Sequence, residues 1–146
     1  MAKDIGALGS SVTIIAVPTF PQGIVVKDFA TDTDPLVVDD VEVTNTEVGV
    51  NGDVVSWHRA TTIPVTLSVI PNGESDRNLQ ILVNANRGAK NKVATNDDIT
   101  MIVASPDGTM ETYTGGVIVS GKIGKSIGSD GKVRTGTYSF VFANKI

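Results

Sequence analysis

Apolar residues in this chain recur mainly at every second position. Ile63, Val65, Leu67 and Val69 alternate with Pro64, Thr66 and Ser68, the period of a strand with one buried face. Similar apolar runs bounded by turn residues predict strands over 11–17, 23–26, 36–43, 48–56, 63–70, 99–105, 110–123 and 135–143. The period changes in one place. Pro71-Asn72-Gly73-Glu74-Ser75 breaks a strand, and Leu79, Leu82, Val83 and Asn86 then follow at helical spacing, with Ile81 and Ala85 widening the stripe. Either Asn72 or Ser75 can cap this helix, Glu74 and Asp76 suit its positive end, and Arg87-Gly88 closes it, so a helix is expected over about 73–87.

The connections carry turn chemistry. Asn51-Gly52 is a tight-turn signal, Pro106-Asp107-Gly108 joins two strands as a hairpin, and Ser129-Asp130-Gly131-Lys132 forms the tip of a longer excursion. Gly115-Gly116 interrupts a long strand and predicts a bulge or bend. The fold class is therefore mainly β: an antiparallel sandwich or barrel with one packed helix, formed as a single domain over 1–146. Two segments, about 27–47 and 121–134, exceed what such a fold needs and are read as extended excursions that make subunit contacts.

Composition narrows the chemistry. A chain of 146 residues can bury roughly 70% of its unfolded surface. Aromatics are few, so the core must be built largely from Val and Ile, which suits sheets. The absence of cysteine removes disulfides, thiolate metal sites and a cysteine nucleophile. Met1-Ala2-Lys3-Asp4 lacks the basic start and apolar core of a signal peptide, and no apolar run approaches the ~20 residues of a membrane span, so a soluble protein without membrane insertion is expected. Charge is divided: residues 1–53 carry −7 and residues 54–146 carry +3, within a total of −4. Opposed surfaces of this kind can meet head to tail in a self-assembling object.

No catalytic, cofactor or metal site emerges. His58, the sole histidine, lacks a Gly-x-Ser-x-Gly elbow to serve and reads as a surface residue beside Trp57. The phosphate-loop spacing from Gly116 to Lys122 places Ile123 where a magnesium-binding hydroxyl belongs, and the frame ending Gly124-Lys125-Ser126 has Val119 in place of its first glycine. Asp32, Asp34, Asp39 and Asp40 lack the glycine and glutamate of a calcium loop. Arg87, Lys90 and Lys92 cluster at the helix end without interleaved aromatics, which suits the helix dipole better than a nucleic acid.

The segment Asn51-Gly-Asp-Val-Val-Ser-Trp-His-Arg59, the strand over 63–70, the Pro-Asn-Gly-Glu-Ser-Asp helix start and the closing Gly-Thr-Tyr-Ser-Phe-Val-Phe run together resemble tail tube proteins of contractile long-tailed bacteriophages, over about residues 48–146. The resemblance implies a structural virion protein, not an enzyme, whose sixfold rings stack into a hollow tube that conducts DNA without binding it specifically. It implies assembly in the host cytoplasm, with sheath, tape-measure and baseplate or terminator proteins as partners. Related alternatives are a ring of a tail terminator, a baseplate or a type VI secretion system; a β-sandwich ligand-binding module is a further one. Polar strand residues Thr66, Ser68, Thr112, Thr114 and Ser120 would suit a wet lumen or rim, and Glu42, Glu47 and Asp53 are candidate lumen acids that would repel phosphate. Lys122, Lys125, Lys132 and Arg134 are the candidate inter-ring contacts.

Overall fold

The computed structural model describes residue 6 and residues 8–146; the amino-terminal reading at Met1–Asp4 falls outside them. The elements in chain order are β1 (Ser11–Val17), β2 (Phe20–Val26), β3 (Leu36–Val38), β4 (Asn45–Val48), β5 (Val54–Trp57), β6 (Ile63–Val69), α1 (Glu74–Ala85), β7 (Asp98–Ala104), β8 (Met110–Ser120), β9 (Gly136–Phe142) and β10 (Asn144–Lys145). All strand pairings are antiparallel, in the order β2-β1-β7-β8-β9-β6-β3, with β10 on β8 and with β4 and β5 paired apart from the rest. The fold is thus mainly β with one helix.

β8 joins the two halves of the main sheet. Its first half pairs with β7 and its last residues with β9. Between them the register slips, Ile99 facing Gly116 while Met101 faces Tyr113, and Gly115 takes φ +64. Only glycine reaches that region without cost, so the Gly115-Gly116 pair forms the bulge that turns the strand. Gly116 also leaves room for the Phe142 ring, which a Cβ there would strike.

The sheet closes on itself through the chain leaving β2. Ala30 N–H donates to Ser68 O at 3.1 Å, and Ile70 N–H donates to Asp28 O at 2.8 Å, on either side of a Phe29–Val69 bridge. β3 continues along the same edge of β6, where Ser68 N–H donates to Pro35 O. Ser68 is consequently buried and 3.3 Å from Thr137 Oγ1, so it does not face water as the alternation suggested. The core draws Val12, Ile14 and Ala16 from β1, Val65, Leu67 and Val69 from β6, Ile99 and Met101 from β7, and Tyr138, Phe140 and Phe142 from β9.

Helix α1 buries Leu79 and Leu82 in this core. Its start differs from expectation. Gly73 is the N-cap, with no side-chain capping bond, because Asn72 adopts the left-handed conformation (φ 65) and Ser75 lies buried inside the first turn. Asp76 takes over the polar role: its carboxylate accepts from Asn72 N–H (3.3 Å), Gln80 Nε2 (3.1 Å) and Tyr138 Oη (2.8 Å) while buried. Ile81 is exposed and does not widen the apolar stripe, since it sits on the face opposite Leu79 and Leu82. At the far end Lys92 Nζ donates to Asn84 O (2.5 Å) and to Arg87 O, satisfying carbonyls that the helix leaves open.

Candidate assembly surface

The largest departure from the expected strands lies at 45–57. The segment read as one strand over 48–56 is the turn and second strand of a hairpin, and the strand expected over 36–43 stops at Val38. Gly49 N–H donates to Asp53 O at 2.8 Å, Gly52 N–H donates to Gly49 O at 2.9 Å, and Gly52 holds φ +86, so the Asn51-Gly52 signal marks the tip. Among the described residues the hairpin pairs with no other strand, and its own strands are almost wholly exposed.

Its side chains are those of a core. Val43, Val48, Val50, Val54, Val55 and Trp57 are all exposed apolar residues. The register places Val48 opposite Val54 and Thr46 opposite Ser56 on one face, and Glu47 opposite Val55 and Asn45 opposite Trp57 on the other. His58 closes the root: its Nδ1 donates to Val43 O at 3.0 Å, with Thr44 Oγ1 3.3 Å from the same nitrogen. A two-stranded hairpin of this kind is marginal on its own in water, and exposed apolar patches mark interaction surfaces.

Of the three acids singled out from the sequence, two fall on this element and one lies beside it. Glu42 lies exposed just before the arm, beside Asp40, Arg59, Thr61 and Thr62, while Glu47 stands on β4 and Asp53 in the turn. The four bases lie on a second small hairpin at 121–134. An Ile127–Val133 bridge shapes its tip, together with bonds from Gly128 N–H to Lys132 O and from Gly131 N–H to Gly128 O. Two of its bases are engaged internally: Lys122 Nζ donates to Arg134 O at 2.8 Å, and the Arg134 guanidinium lies over Gly128 and 3.8 Å from Asp130. Lys125 and Lys132 are exposed, and Ile123 and Ile127 stand exposed on the same hairpin. The sequence reading recognised the Asn51-Gly52 turn yet kept 48–56 as one strand, and so missed the arm valines; a turn in the middle of an apolar run splits it into two paired strands.

Comparison with known proteins places this geometry. No curated protein matches the sequence. Among solved structures, a chain in the sheath/tube terminator of the PVC extracellular contractile injection system in its extended state aligns with a TM-score of 0.55 at 13% identity, over 100% of this chain and 97% of that one. A chain in the sheath-tube complex of the same system aligns at 0.53 and 13%, over 92% and 86%. A chain of the anti-feeding prophage baseplate aligns at 0.54 and 8%, over 100% and 96%. At such identities the likeness is one of fold, and the fold is tail tube-like. A family model described as tail fiber protein gp32 matches residues 3–146. With nearly its whole length matched by that model, the chain belongs to the tail fiber protein gp32 family.

Proposed function

We propose that this chain is a self-assembling structural subunit whose sixfold rings stack into the hollow tube of a phage tail, and that it works with sheath, tape-measure, baseplate and terminator proteins in the virion after assembly in the host cytoplasm. The observation that carries the reading is the β4–β5 arm, which exposes a valine-rich surface and, among the described residues, pairs with no other strand. Such an element is explained by a neighbour that covers it, and identical subunits joined by heterologous contacts propagate into rings and stacks.

In this reading the Val48–Val54 face of the arm meets an adjacent subunit, and the opposite face turns Glu47 toward the lumen together with Glu42 and Asp53. Acids lining the channel repel phosphate and let DNA pass without sticking. The hairpin at 121–134 presents Lys125 and Lys132 to acidic surface on the next ring, held in shape by Lys122 and Arg134. The terminator and baseplate complexes among the similar structures keep a capping or baseplate ring as the second reading.

The test is negative-stain electron microscopy of the purified protein over a concentration series. Rings or hollow tubes with a central channel are the expected result. Thin rods without a channel would favour the fibre that the family's description names. Single rings that never stack would favour the terminator or baseplate reading. Particles that stay monomeric even with a tail initiation complex added would overturn the proposal.

A further inference from the structure

The chain has two Asn-Gly steps, and the fold treats them differently. Asn51-Gly52 occupies the arm tip, where the Gly52 N–H is engaged with Gly49 O at 2.9 Å. Asn72-Gly73 joins β6 to α1. Among the described residues no acceptor takes the Gly73 N–H, and the exposed Asn72 side-chain amide has no hydrogen-bond partner, its backbone N–H being the group that donates to Asp76 Oδ2.

We propose that Asn72 is a site of spontaneous deamidation, and that it converts ahead of Asn51 in the folded protein. The Gly73 nitrogen, after losing its proton to solvent, attacks Cγ of Asn72. The Cγ–N bond breaks, ammonia leaves and a five-membered imide remains. Water then adds to one of the two imide carbonyls, and the ring opens to aspartate or isoaspartate. One water enters and one ammonia departs, with no oxidant or reductant.

Three features of the site favour the step. Glycine offers no Cβ to hinder the approach. The unengaged Gly73 N–H has no hydrogen bond to break before it reacts, whereas Gly52 must first leave Gly49 O. The positive end of α1 lowers the energy of the anionic nitrogen and of the oxyanion that forms next to it. Each event leaves a new carboxylate close to Glu74 and Asp76, and to Asp28, whose Oδ2 lies 3.0 Å from where a Gly73 Cβ would stand. The isoaspartyl product also lengthens the backbone by one carbon where the chain enters the helix.

The experiment follows the freshly purified full chain at mildly alkaline pH, at a concentration where light scattering shows monomers. Peptide mass spectrometry reads the one-mass-unit gain at each asparagine, and isoaspartyl methyltransferase labels the rearranged product. Asn72 should convert roughly twofold to tenfold faster than Asn51, the range that the net worth of one backbone hydrogen bond allows. Urea should abolish the difference, and Gly73→Ala should suppress conversion at Asn72 alone. Equal or faster conversion at Asn51 in the folded chain would overturn the proposal. So would a Gly73→Ala chain, folded by circular dichroism, that converts at Asn72 as before.

Discussion

Asp97 and Asn86 hold each other twice: the Asp97 N–H donates to Asn86 Oδ1 at 2.8 Å, and Asn86 Nδ2 donates to Asp97 Oδ2 at 2.7 Å. The same carboxylate accepts Thr19 N–H at 3.0 Å and the Thr19 hydroxyl at 2.6 Å. One buried acid therefore ties the end of α1, the β1–β2 turn and the approach to β7. Asp97→Ala strands several donors and should cost about 2–4 kcal/mol in urea unfolding. Asp97→Asn keeps the shape and should cost less. An alanine variant as stable as the parent would show that the clamp contributes nothing.

Leu82 is fully buried between the helix and the strands. Leu82→Ala should lower stability by about 2–5 kcal/mol, and Ile81→Ala, one position along but exposed, by less than about 0.5 kcal/mol. Thermal unfolding of the two variants measures the difference. Similar losses from both would mean that α1 is rotated about its axis relative to the described orientation.

The arm should separate assembly from folding. Val48→Ser with Val54→Ser should leave the unfolding midpoint within about 0.5 kcal/mol of the parent, because neither residue touches the core. The same pair should abolish ring or tube formation in micrographs. Normal tubes from this variant would remove the arm from the assembly mechanism. Deletion of 123–131 asks the equivalent question of the basic hairpin, and a folded subunit that no longer polymerises is the expected outcome.

High pH should unfold the protein through its tyrosines. Burial, reinforced by the neighbouring Glu111 carboxylate, pushes the Tyr113 hydroxyl from 10.0 up to about 12. Burial and the Asp76 carboxylate push Tyr138 up as well. A raised folded-state value means that the native state holds the proton more tightly than the unfolded chain. The stabilisation is complete below the unfolded value of 10.0 and is lost as pH climbs through about 12. Tyrosinate absorbance and loss of circular dichroism should therefore rise together in that window. Both tyrosines ionising near 10.0 with the fold intact would contradict this.

Much of the fold was legible because alternation and burial coincide. β1 and β6 show apolar residues at every second position, and those residues are the ones that pack inward. The Gly115-Gly116 bulge and the Pro106-Asp107-Gly108 turn were legible because their backbones need residues that few others can replace; Asp107 fixes the second by accepting both the Thr109 hydroxyl and its N–H. The arm was misread because Val48, Val54 and Val55 carry the composition of a core strand, and composition does not say whether a residue is covered within its own subunit. The helix start was misread because Asn72 spends its position on a left-handed turn, leaving Gly73 at the cap. Ser68 looked solvent-facing because the wrap of 28–35 over β6 is a long-range event invisible to local pattern.

The isolation of the arm has a bearing on how this chain can change over generations. A substitution at Val12 or Phe140 is judged by the whole core, whereas one at Val48 or Val54 leaves the subunit's own packing untouched. In the proposed assembly, selection on the arm therefore comes from the surface it meets. Sequence drift there should keep pace with drift in that surface, and two diverged lineages could each fold their subunits well while refusing to build a mixed particle.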